Sequence, residues 1–233
     1  MERQRRHPLL VRPVAGGAVE RLRSEVVEAS RALAAAGLVV GTAGNVSARA
    51  GDLVAVTPTG ARLACLEAAH VAVVDLDGTL VDGPLAPTSE LPLHLAVYRA
   101  LDTGAVVHTH PPMATAVACV ADELPCFHYT MLTLGGAIRV APYATFGTDD
   151  LATSVAAALE GRTAALMASH GAVTCGADLQ AAVDATELLE WACGVYVHAC
   201  SCGTPRELAQ ADRLAVAQAL ATYGETSSGL PAS

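Results

Sequence analysis

The sequence predicts one α/β domain in which helices cover a sheet. Three observations predict it. Short apolar runs with period-two alternation, bounded by Gly, Pro, Asn or Asp, interleave with longer runs of helical periodicity. Neither an internal repeat nor a linker-like stretch divides the chain. Its 233 residues are 52 % hydrophobic and 16 % charged, enough for a core that needs no disulfide or metal staple.

Residues 1–17 are Arg-rich, then carry Pro13, Gly16 and Gly17, and are expected as a tail. Val19, Leu22, Val26, Val27, Ala29 and Leu33 fall on one side of a helix over 18–36, which Gly37 should end. From Gly41 the pattern shortens. Alternating runs at 45–49 and 53–57, joined by Gly51-Asp52, read as a hairpin. Runs at 71–75 and 79–81 form another around Asp77-Gly78. The hydroxyls of Thr88 and Ser89 mark the N-cap of a helix reaching about Leu101, with Glu90 in its first turn. After a strand at 105–109, Pro111-Pro112 opens a helix, because proline is tolerated in a first turn. A strand at 138–141 and a helix at 149–159 lead to two strands, 164–168 and 172–174, flanking Ser169-His170-Gly171. Helices over 178–202 and 206–223 complete an expected domain of 18–224, and 225–233 read as a second tail.

Charge and composition exclude several classes of function. Net charge is −9 and aromatics are 3 %, which argues against a nucleic-acid partner. All 14 basic residues are Arg. The absence of lysine removes Schiff-base, pyridoxal-phosphate and P-loop chemistries, so any phosphate must sit on backbone N–H groups, hydroxyls, amides or Arg. No run of about 18 apolar residues predicts a membrane helix. The basic opening stretch is not followed by an apolar signal region. Seven cysteines, an odd number, read as reduced thiols, and a cytoplasmic location is expected.

Four constellations could carry chemistry. Residues 71–79, apolar residues followed by Asp-Leu-Asp-Gly-Thr, look like the nucleophile strand of haloacid-dehalogenase-type phosphatases. They lie far into the chain, no lysine accompanies them, and an ordinary hairpin needs the same Asp-Gly. His108 and His110, two apart on a strand, point to the same side and can reach one metal. His170 at another strand end, before a Gly171 that lets the backbone turn, would make three imidazoles with an open fourth position. The alternative ligands to this histidine set, Cys193, His198, Cys200 and Cys202, cluster near a helix end, although 200 and 202 face different ways on a helix. Glu90 is either a favourable charge at a helix start or a general base beside a metal. Gly44-Asn45 and Thr59-Gly60 could offer N–H, amide and hydroxyl groups to an anion, or be plain turns.

In order, the stretches GTAGNVSAR (41–49), TPTG (57–60), TSE (88–90), VVHTHP (106–111), PCFHYTM (125–131), APYATFGT (141–148) and SHGAVTCG (169–176) resemble the class II aldolase/adducin-head family. The 141–148 stretch and the His-Tyr-x-Met tract favour its fuculose-phosphate branch. The resemblance implies a three-layer α/β/α fold around a mixed, largely antiparallel sheet. It implies zinc, one ion per subunit, on His108, His110 and His170, with Glu90 a ligand until substrate displaces it and a base thereafter. Asn45, Thr59, Gly60, Thr88 and Ser89 match the substrate-phosphate positions, with Thr88 where Ser is usual. Tyr129 matches a tyrosine lent by a neighbouring subunit, and Tyr223, in Thr222-Tyr223-Gly224, a tyrosine that closes over the site. The implied activity is reversible cleavage of a ketose 1-phosphate, fuculose or 5-deoxy-pentulose in type, through a zinc-stabilised enediolate to dihydroxyacetone phosphate and an aldehyde. A homotetramer with active sites at subunit interfaces is implied, with no nucleic-acid or membrane partner. Within the same family, a pentulose-phosphate 4-epimerase and a methylthioribulose-1-phosphate dehydratase are alternatives. A non-catalytic adducin-head-like scaffold is the alternative of a different class.

Overall fold

A computed structural model describes residues 16–227, without the side chains of 16, 221 and 223–227. The expected tails therefore lie outside the described residues except at 16–17 and 225–227, which fall in helices.

Among the described residues, nine strands form one sheet. They are β1 (Asn45–Ala50), β2 (Leu53–Val56), β3 (Ala72–Asp75), β4 (Leu80–Asp82), β5 (Ala105–Thr109), β6 (Glu123–Leu124), β7 (Ile138–Ala141), β8 (Ala164–Met167) and β9 (Gly171–Gly176). Their order is β4-β3-β2-β1-β5-β9-β8-β7-β6. Every pairing is antiparallel except β7 with β8, which a helix connects. Six helices cover it: α1 (Gly16–Ala35), α2 (Leu91–Ala100), α3 (Pro112–Ala118), α4 (Asp149–Ala158), α5 (Leu179–Cys202) and α6 (Gln210–Ser227).

Strand alternation makes the layers. Val46, Ala48, Ala55, Val73 and Val107 pack with α1 and the start of α5. Their neighbours Val54, Val56, Val74 and Val106 pack on the opposite face with α2 and α4. A third cluster joins α3, the later part of α5 and a 3-10 turn at Tyr129–Leu134 to β6–β9. The expected mixed sheet between helical layers is what the chain forms. Among the described residues, no helix is long and apolar enough to cross a membrane.

Several expectations shift in detail. The 71–79 segment is the β3–β4 hairpin: Asp75 Oδ1 accepts from the N–H of Asp77 and of Thr79, so that carboxylate serves the turn. Helix α2 begins at Leu91, not at a Thr88-Ser89 cap. Thr88 is held in extended pairing instead, its N–H donating to Thr57 O at 3.0 Å, and its hydroxyl accepts from Glu90 N in the turn before the helix. Helix α6 starts at Gln210 rather than 206, and β6 was not anticipated.

Candidate functional site

Strand ends and one helix start meet at one edge of the sheet. Asn45 opens β1 and pairs in register with His108 of β5, which pairs in turn with Val173 of β9. His110 follows β5 by one residue, and His170 precedes β9. The β8–β9 turn delivers His170 differently from expectation. Ser169, not Gly171, takes the left-handed conformation, with φ 54°, the one positive φ outside glycine among the described residues. Gly171 is needed for a close approach: a Cβ there would lie 2.4 Å from Thr109 O and 3.1 Å from the His110 ring.

The three imidazoles converge. Their centroids lie 4.8–5.0 Å apart, and one ring nitrogen from each falls within 4.8 Å of the others. His108 is fully buried and its Nδ1 donates to Ala172 O at 2.9 Å, because a carbonyl only accepts. That leaves its Nε2 facing His110 Nε2 at 3.0 Å and Glu90 Oε2 at 3.1 Å. Glu90 Oε1 stands 3.5 Å from His170 Nε2 and makes no hydrogen bond although buried.

Burial, then the neighbouring imidazoles, pushes His110 down to about 4, and the same causes lower His170. Both rings are therefore neutral at pH 7 and offer lone pairs. Burial would raise Glu90. Its contacts with His108 and Asn45, together with the proximity of His170, outweigh it and hold the carboxyl at about 2.

This cluster holds more lone pairs than hydrogens, and a cation satisfies such an arrangement. Neutral imidazoles with a carboxylate form a donor set suited to zinc, and the orphaned Oε1 is a buried acceptor awaiting a partner. The residues present thus fit a divalent metal. Among the described residues, the His triad is the one such cluster. The thiol alternative does not assemble: Cys193 is buried, whereas Cys200 and Cys202 are exposed.

A pocket of about 330 Å³ opens over the cluster. Asn45, Thr59, Gly60, Thr88 and Ser89, all expected at the substrate phosphate, line it together with Glu90, His110 and His170. No Arg lines it. His108 lies beneath. Tyr129 is not brought to this pocket: it is half exposed, its ring against His128 at 4.7 Å. The Tyr223 side chain lies outside the described residues.

Sequence reasoning missed the pocket's Thr42, Tyr143, Phe146 and Ser169. It also missed a buried set behind Asn45, formed by Ser47, His94 and Tyr98. The signal was available: Glu90, His94 and Tyr98 are polar groups at i, i+4 and i+8 in an otherwise apolar segment. Burial holds His94 down at about 3, with the nearby His108 adding to the effect, so the ring is neutral.

Residues 24–197 match the family described as "Class II Aldolase and Adducin N-terminal domain". A 5-methylthioribulose-1-phosphate/5-deoxyribulose-1-phosphate aldolase of Rhodospirillum rubrum is 38 % identical over 206 residues, spanning 88 % of this chain and 93 % of that one. A 5-deoxy-D-ribulose 1-phosphate aldolase of Bacillus thuringiensis is 33 % identical, spanning 89 % and 99 %. Among solved structures, an L-fuculose 1-phosphate aldolase superposes with a TM-score of 0.83 at 33 % identity, covering 86 % of this chain and 96 % of that one.

Proposed function

The chain belongs to the family of class II aldolases and adducin N-terminal domains, and on that premise we propose that it cleaves a ketose 1-phosphate reversibly to dihydroxyacetone phosphate and a short aldehyde. It is an aldolase, a lyase acting on sugar phosphates. The substrate we assign is a 5-deoxypentulose 1-phosphate or the 6-deoxyhexulose L-fuculose 1-phosphate. Both classes appear in the names of its relatives. One observation carries the assignment: a cluster of three imidazoles, two of them in the pocket lining, meets a buried carboxylate and a lysine-free, hydroxyl- and amide-lined wall.

Each residue has a role in this reading. Asn45, Thr59, Gly60, Thr88 and Ser89 hold the phosphate through neutral donors, as the Arg-free lining requires. His108, His110 and His170 hold a divalent metal, which we take to be zinc. When bound, that ion supplies the Lewis acidity that cleavage between C3 and C4 needs at the ketose carbonyl.

Glu90 handles the proton at C3. In condensation it takes that proton, and in cleavage it returns it. Its low pKa belongs to the contact with His108 and Asn45. Drawn off His108 by substrate, the carboxyl loses one of the contacts that lower it while burial still raises it, toward the range a general base needs. Tyr143, Ala144 and Phe146 form an apolar stretch of the lining suited to a deoxygenated aldehyde end. A neighbouring subunit's Tyr129 moves the proton on the C4 oxygen, which makes the homotetramer part of the proposal. Tyr223 is proposed to close over the pocket.

The test is a panel of ketose 1-phosphates scored for dihydroxyacetone phosphate and for the aldehyde. Stoichiometric release of both from a deoxypentulose or deoxyhexulose 1-phosphate is expected. Epimerised ketose phosphate without free aldehyde, or no product from any member, overturns the assignment.

A further inference from the structure

A line of buried polar side chains runs from Glu90 into the interior, away from the pocket. Glu90, His94 and Tyr98 stand four residues apart, and Asn45 and Ser47 stand two apart on β1. Four helical residues rise about 6 Å and two strand residues about 6.7 Å, so the two rows stay in step. The line is continuous. Tyr98 OH lies 2.8 Å from Ser47 Oγ, and Ser47 Oγ 2.7 Å from His94 Nδ1. His94 Nε2 lies 2.5 Å from Asn45 Oδ1, and Asn45 Nδ2 2.9 Å from Glu90 Oε2. All five side chains are buried, His94 and Ser47 completely.

Donor and acceptor capacities leave one assignment of the hydrogens. A carboxylate only accepts, so the amide nitrogen of Asn45 faces Glu90. The amide oxygen, which also only accepts, then faces His94, so Nε2 carries the hydrogen. Full burial keeps the ring neutral with a single N–H, and Nδ1 must accept from Ser47. Ser47, having donated, accepts from the Tyr98 hydroxyl. Every link is satisfied in one direction only.

We propose that His94 is a positioning residue for Glu90. Its ring, locked as the Nε2–H tautomer by Ser47 and Tyr98, fixes the Asn45 amide so that N–H, and not C=O, meets the carboxylate. An Asn45 free to turn by 180° would set its oxygen against Glu90 Oε2 and drive the carboxylate out of place. The consequence for turnover rests on the aldolase reading; the tautomer itself does not.

Two measurements test this. The first is the ring nitrogen NMR spectrum of the full chain, with His94 assigned by its disappearance in His94→Gln. A neutral ring with bare Nδ1 and protonated Nε2 is expected, with or without metal. A protonated Nδ1, or exchange between tautomers, overturns the proposal. The second compares His94→Gln, whose amide can place an N–H where Nε2–H was, with His94→Leu, which cannot. Per folded, metal-loaded chain, His94→Leu is expected to lower saturated turnover about 10–100-fold and His94→Gln to restore it to within about 3-fold. Equal losses in both, or none in His94→Leu, overturn it. If the unsubstituted protein releases no dihydroxyacetone phosphate, the aldolase reading has failed, and the ring spectrum alone decides on His94.

Discussion

Glu90→Gln separates proton transfer from every other role of that side chain. The change keeps shape and leaves the three imidazoles untouched. A glutamine oxygen can still accept from Asn45 Nδ2, now 2.9 Å from Glu90 Oε2, so fold and metal content should persist. What is lost is the ability to take a proton from carbon. No other carboxylate among the described residues lines the pocket, so nothing replaces it. Removing a placed general base costs about 10²–10⁴-fold in kcat, about 3–5 kcal/mol of activation free energy. Two assays apply: dihydroxyacetone phosphate release from the ketose phosphate, and exchange of the hydroxymethyl proton of dihydroxyacetone phosphate with deuterated water, without aldehyde. Both should fall together, with the metal still bound. Full exchange in the variant, or an altered KM at unchanged kcat, would refute the assignment of the base.

Four further outcomes are expected. Elemental analysis should find about one divalent ion per chain, zinc in our reading, and chelation should abolish turnover without unfolding a protein whose apolar clusters stand without it; no stoichiometric metal would contradict this. Gly171→Ala places a Cβ 2.4 Å from Thr109 O, so β5 and β9 must part beside His110. A loss of about 1–3 kcal/mol in denaturant unfolding, with weaker metal binding, is expected, and no change in either refutes the close-approach account. Tyr129→Phe and Glu90→Gln, each nearly inactive, should regain activity when co-assembled, because some interfaces then combine both intact residues; verified mixed oligomers no better than their parents would exclude a shared site. Burial holds His94 at about 3, against 6.5 when exposed, so the unfolded chain binds the extra proton between those values. Stability should then fall as pH drops below 6.5, by up to about 1.4 kcal/mol per pH unit from this group, and not above it. Urea titrations at pH 7, 6 and 5 should show a shallower fall in His94→Gln, and identical slopes would refute the buried neutral ring.

Much of the imidazole cluster was legible because it depends on short-range geometry. His108 and His110 share a side through the two-residue period of a strand, whatever the strand packs against. The same holds for the hairpins: Asp75 and Gly78 turn the chain by local hydrogen bonding and by a φ of +86°, both properties of the residues themselves. Gly37, with φ +74°, stands two residues beyond the end of α1 and turns the chain there as its type suggests. The turn before His170 was half legible. A tight turn was expected there, but Ser169 makes it, and Gly171 is glycine because the backbone of β5 passes beside it. That requirement comes from a strand 62 positions earlier in the chain and leaves no mark on its neighbours in sequence.

By itself, the sequence determined most of the elements, the strand face that carries His108 and the exclusion of lysine chemistry, whereas the absence of Arg from the pocket lining came from the tertiary structure. Only the tertiary structure decided where α2 begins, since Thr88 is held by Thr57 across a non-local pairing rather than by its own helix. It alone set Glu90, His94 and Tyr98 against Asn45 and Ser47. Propensity and period act between residues a few positions apart. The register of a helix on a strand 45 positions away is chosen by how Val54, Val56 and Val106 pack beneath Leu93, Leu95 and Val97, and no local pattern encodes that fit.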